Sequence, residues 1–215
     1  MDSDFNEKET CVSLMRWIIY FCILMGGVFS LWYFAGQFKT ATFEEYGIVE
    51  NLQLFLLLVA SVSFLGQAVL KTSYRSLSFL LGALCLTAFC RELDAWFDAL
   101  WAPGWKFALL FPVVALFYAA RYKNDFRKSV FAFLNKSSFF MMFCTAIIIL
   151  PIAQCVGHKS FFVDALGYTS DPRLVRRLFE EAVEYIGYLL LALSSLEFYI
   201  VHIWLCVKSS HKKRK

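Results

Sequence analysis

Residues 77–98 read "LSFLLGALCLTAFCRELDAWFD". Fourteen residues without an ionised side chain, 77–90, run directly into Arg91, Glu92, Asp94 and Asp98. At 1.5 Å per residue the uncharged run covers roughly 21 Å, short of the ~30 Å hydrocarbon core of a bilayer. A helix that crosses here must carry its charges below the surface. Whether this stretch is a membrane helix decides the fold.

The composition around it answers. Of 215 residues, 60% are hydrophobic and 24 are Phe. A soluble domain of this size cannot hide so much apolar surface, which leaves the polytopic membrane class. The apolar runs predict six spanning segments at 17–38, 47–70, 77–100, 105–121, 138–157 and 178–207. Each is near the ~20 residues a crossing needs. The expected fold is an all-α integral membrane protein, a six-transmembrane-helix bundle. A tail at 1–16 precedes a single domain at 17–207, and a basic tail follows at 208–215. The first segment is too long for the core of a signal peptide, and "MDSDFNEKET" before it is acidic, so an uncleaved helix is expected.

Lys and Arg set orientation. With six spans, fourteen of the 21 fall on the side of the two termini and seven on the other, which predicts both termini in the cytoplasm. A bacterial-type inner membrane is the expected location. The acids divide oppositely, eleven outside against five inside, with Glu197 left within the bilayer. "NKS" at 135–137 matches a glycosylation acceptor but falls inside. The tail "KSSHKKRK" is suited to anionic lipid heads. The basic segment 122–137 spaces Phe126, Val130, Phe133 and Leu134 as one helical face. It reads equally as a helix on the inner leaflet or as an extension of the fourth span.

The charges of the third span then have company. Arg91, Asp94 and Asp98, at i, i+3 and i+7, are expected on one face with Glu92 pointing elsewhere. The second span enters from the same side with Glu50 and Gln53. The sixth enters with Glu181 and Glu184, after Asp171 as helix cap and Pro172 as first helical residue. Tyr188, Ser195, Tyr199 and His202 extend nearly the same face into a polar stripe. Isolated ionised groups cost roughly 2.5–3.5 kcal/mol at the bilayer centre, so these must face one another or water. Two roles fit: an ion-paired network that fixes packing, and an outward-facing pocket. Glu197, expected near mid-membrane, suits proton or cation coupling or a packed, hydrogen-bonded acid.

Several chemistries lack their signatures. "EEAVE" has no histidine at the ExxH offset of di-iron bundles, and the three histidines are dispersed, so no metal site is expected. There is no GxSxG, HExxH, phosphate loop or dinucleotide fingerprint. The seven cysteines form no CxxC and predict no disulfide framework. No cofactor is implied. The partners expected are the lipid bilayer, a cationic or lipid ligand at the outer face and another membrane protein, but no nucleic acid. The leading reading is a binding or assembly component with an outward-facing acidic cluster. The alternatives are a small transporter coupled through Glu197 and an intramembrane enzyme acting on a lipid head group.

Overall fold

A computed structural model of the chain describes residues 2–38, 42–43, 47–70, 73–100, 104–158 and 172–212. Helices dominate, and no strand occurs among the described residues. Helix α1 spans Asp2–Phe38, α2 Ile48–Val69, α3 Arg75–Glu92 and α4 Asp94–Leu100. A 3-10 turn, Gly104–Leu109, leads into α5, Leu110–Arg121. The amphipathic α6 spans Lys123–Leu134. Helix α7, Ser137–Ile147, continues through a π-turn, Ile148–Ile152, into α8, Ala153–Val156. The last helix, α9, runs from Pro172 to Lys212. Asp171, the expected cap of α9, lies outside the described residues.

Side-chain contacts give the helix directions. Tyr20 of α1 meets Glu197 of α9 while Ser30 meets Tyr185, so these two helices are antiparallel. Gln53 of α2 meets Glu181 and Phe64 meets Phe198, so α2 and α9 run parallel. Glu92 of α3 meets Tyr188, while Tyr74 just before α3 meets Phe198, which sets α3 against α9. Phe79 of α3 faces Tyr118 and Thr87 bonds the Ala108 carbonyl, so α5 opposes α3. Ser138 of α7 meets Ser194 and Ile149 abuts Gly187, which sets α7 against α9. The long helices thus alternate in direction along the chain. Helix α9 packs against α1, α2 and α7, and α3 links α2 to α5.

Packing is inside-out relative to a soluble bundle. Phe55, Phe117, Phe140, Leu150 and most of α1 point outward, whereas Gln53, Ser61, Gln67, Ser194 and Ser195 are buried. Lipid tails are as apolar as leucine, so association in lipid relies on close backbone approach and interhelical hydrogen bonds. Gly82 of α3 provides one such approach: a Cβ there would sit 2.7 Å from Leu65 Cγ and 3.1 Å from the Leu65 backbone nitrogen. Five helical segments are long and apolar enough to cross a membrane: Thr10–Phe38, Ile48–Val69, Gly104–Arg121, Ser137–Val156 and Val175–His202. Helix α3 has 18 residues, about 27 Å, and ends on its charges.

The helix breaks are local and chemical. Pro112 is in the first turn of α5, where a missing N–H costs nothing. Pro151 removes a donor mid-helix, and the backbone widens there into the π-turn. The third apolar segment is not one helix over 77–100 as expected. It breaks at Leu93, leaving Arg91 in the last turn of α3 and Asp94 in the first turn of α4. Those charges suit those helix ends, cation at the C-terminus and anion at the N-terminus. The basic segment is a helix separate from α5. Its Phe126, Val130 and Phe133 pack into the cluster around Phe64, Tyr74 and Phe198, while Phe131 and Leu134 face outward.

Candidate functional site: carboxylates between α2, α3 and α9

The turn of α9 from Glu181 to Tyr188 faces the start of α2 and the end of α3. Glu184 is 5% exposed. The Tyr188 hydroxyl donates to Glu92 Oε1 at 2.9 Å. Arg91 Nη2 lies 3.9 Å from Glu92 Oε1 and 4.0 Å from Glu184 Oε1. Both distances are ion-pair contacts beyond hydrogen-bond length. The Arg91 side chain is 52% exposed, so the guanidinium closes the cluster from the outside rather than sitting within it. Gln53 donates Nε2 to Glu181 Oε2 at 3.0 Å and to the Glu181 carbonyl at 3.1 Å. Its Oε1 is buried with no hydrogen-bond partner among the described residues.

This geometry corrects the expected faces. Glu92, expected to point away, is the residue Tyr188 holds, and it sits beside both Arg91 and Glu184. Asp94, in the first turn of α4 past the break at Leu93, is exposed. The side chain of Asp98 lies outside the described residues. Glu50 is half-buried one turn before Gln53. Glu180 and Glu184 diverge: the Glu180 carboxyl lies over Gly157 after α8, while Glu184 faces α3.

The polar stripe does not continue down α9. Ser195 donates its hydroxyl to the Ala192 carbonyl of its own helix at 2.8 Å. Tyr199 packs over Gly66, and His202 sits edge-on to Tyr74 at 5.5 Å. Glu197 faces α1 instead. It accepts a 2.5 Å hydrogen bond from Tyr20 and lies 3.5 Å from Arg16 Nη1. It lies toward the end of the bundle that holds the α2–α3 connection. Its neighbour Phe198 packs on Tyr74 in the α2–α3 connection, and His202 lies about 8 Å further along the helix. Sequence reasoning missed both α1 partners. Their i, i+4 spacing, one helical face, was the available signal.

Among the described residues, no group of three or more His, Cys, Asp and Glu is placed to hold a metal ion. The cluster holds an excess of acid over base at close quarters and opens where Arg91 is exposed. Such an arrangement can take up a cation or a protonated amine, or share protons. No family model matches the chain, and neither does a curated protein or a solved structure at a significant level.

Proposed function

We propose that the chain is a six-span membrane protein with both termini in the cytoplasm. In this reading α3 with α4 supplies the span that length and composition alone do not select. Its outward-facing cluster of Glu92, Glu181 and Glu184, with Gln53 and Glu50 alongside, binds a cationic group such as a lipid amine head. The protein acts as a binding or assembly component. One observation carries this: Glu92 and Glu184, both largely buried, share the half-exposed Arg91 guanidinium at 3.9 and 4.0 Å, beyond hydrogen-bond length. A network evolved only for packing gains most from short, hydrogen-bonded ion pairs. The Gln53 oxygen, without a partner among the described residues, adds one more acceptor facing the same need.

Coupled transport through Glu197 has less support. Tyr20 and Arg16 already engage both of its oxygens, which suits a clamp between α1 and α9.

Glu184→Gln tests the proposal, because removing one of several crowded like charges relieves repulsion at a site but breaks a scaffold. The purified chain in detergent is melted with and without ethanolamine. The variant is expected to melt at or above the wild type and to lose any stabilisation by the amine. A variant that melts well below the wild type, beside a wild type indifferent to ethanolamine, assigns the carboxylates to packing instead.

A further inference from the structure

At the other end of the bundle, where the α2–α3 connection, the start of α7 and the last turns of α9 meet, lies a cavity of about 190 Å³. A water molecule's share of liquid volume is about 30 Å³, so the space holds several waters or one small polyatomic ion. Arg16, Lys136, Ser138, Glu197 and His202 are among its lining residues.

Its chemistry is cationic and donor-rich. Lys136 precedes α7 with extended backbone and makes no side-chain cap. The Ser137 and Ser138 amides open α7 at the positive end of a helix, where the first N–H groups have no intrahelical acceptor, while Phe139 donates to the Lys136 carbonyl at 3.0 Å. Lys136 has no ion-pair partner among the described residues. Arg16 keeps a buried Nε without an acceptor among the described residues. Ser138 is 2% exposed and borders the cavity, and its hydroxyl bonds no described residue; only its carbonyl is engaged, by Ser194. The one acid, Glu197, is already answered by Tyr20 at 2.5 Å and Arg16 at 3.5 Å. What is left over is the Lys136 ammonium, the Ser138 hydroxyl and the Ser137 and Ser138 amides, all donors around one space.

We infer that this cavity binds a phosphate-type oxyanion, with Lys136 as its principal counter-charge and Ser138 as a hydrogen-bond donor. A tetrahedral phosphate brings the acceptor oxygens and negative charge this lining lacks. The shared chemistry fits free inorganic phosphate and the phosphomonoester head of a lipid such as phosphatidic acid. This site is separate from the carboxylate cluster, so either reading can stand without the other.

The test uses the full chain in two arms. In neutral detergent, inorganic phosphate is titrated against chloride at constant ionic strength, and the melting temperature is followed. In the second arm the chain is reconstituted in phosphatidylcholine vesicles with and without phosphatidic acid. A saturable rise in melting temperature is expected in at least one arm, because a ligand that binds only the folded state stabilises it. A rise with phosphate alone assigns a soluble anion; a rise with phosphatidic acid alone assigns a lipid head; both support the site. Lys136→Gln is expected to weaken the apparent affinity about tenfold or more, the worth of one charge-assisted hydrogen bond. Lys128→Gln, on the exposed face of α6, should leave it unchanged. Should Lys136→Gln fail to fold, Ser138→Ala carries the test with an expected loss of about fivefold. No saturable rise in either arm, or equal losses in the Lys136 and Lys128 variants, overturns the inference.

Discussion

Tyr188 secures Glu92 through one hydrogen bond between α9 and α3, both groups largely withdrawn from solvent. Hydrogen bonds to charged groups contribute about 1.5–3 kcal/mol in soluble proteins, and interhelical bonds in membranes average about 0.6. Tyr188→Phe keeps the ring and removes only the donor. Its expected cost is about 1–2 kcal/mol, between those values, measured by reversible unfolding in mixed micelles. A loss within about 0.3 kcal/mol of zero would mean that Glu92 finds an equal partner elsewhere. The same residue scale explains why Glu197 and Glu184 are different kinds of buried acid. Glu197 has a phenol and a guanidinium in direct contact, whereas Glu184 has one long ion pair and acidic neighbours.

At the scale of elements, the α2–α3 hairpin depends on one close approach. Gly82 lies against Leu65, and a side chain there would press on a backbone nitrogen as well as on flexible carbons. Gly82→Val is expected to destabilise the chain by about 1–3 kcal/mol through overpacking. Gly36→Ala is the control. No atom lies within 4 Å of a Cβ built there, and the residue is helical and exposed. It should be neutral or stabilising by up to about 1 kcal/mol. Comparable losses in both would mean that backbone freedom, rather than the α2–α3 contact, sets the effect. The break at Leu93 belongs to this scale too. Glu92, in the last turn of α3, faces α9, and Asp94, past the break, is exposed.

For the whole molecule, alternating helix directions put the carboxylate cluster and the cationic cavity at opposite ends of the bundle. Under the proposed six-span topology the cluster faces out and the cavity faces the cytoplasm. Reporters fused after Leu70 and after Arg121 are expected to read as cytoplasmic, and those at Gly104 and His158 as external. Opposite readings at two of these sites would reverse both assignments while leaving the internal geometry untouched.

Composition and apolar run length alone determined that this is an all-helical chain with several segments able to span a membrane. Those properties depend on local hydrophobicity and on the rise of a helix, and both can be read residue by residue. The concentration of acids at the second, third and last segments was equally legible, because sequence position along a span approximates depth. Helical spacing did not determine which side chains meet. It put Arg91, Asp94 and Asp98 on one face only so long as the helix was unbroken, and Leu93 interrupts it. Glu92 finds Tyr188 across 96 positions and Glu197 finds Tyr20 across 177. The tertiary structure decided those pairings, because they depend on the rotation and offset of separate helices, which close packing at residues such as Gly82 sets and no local periodicity encodes.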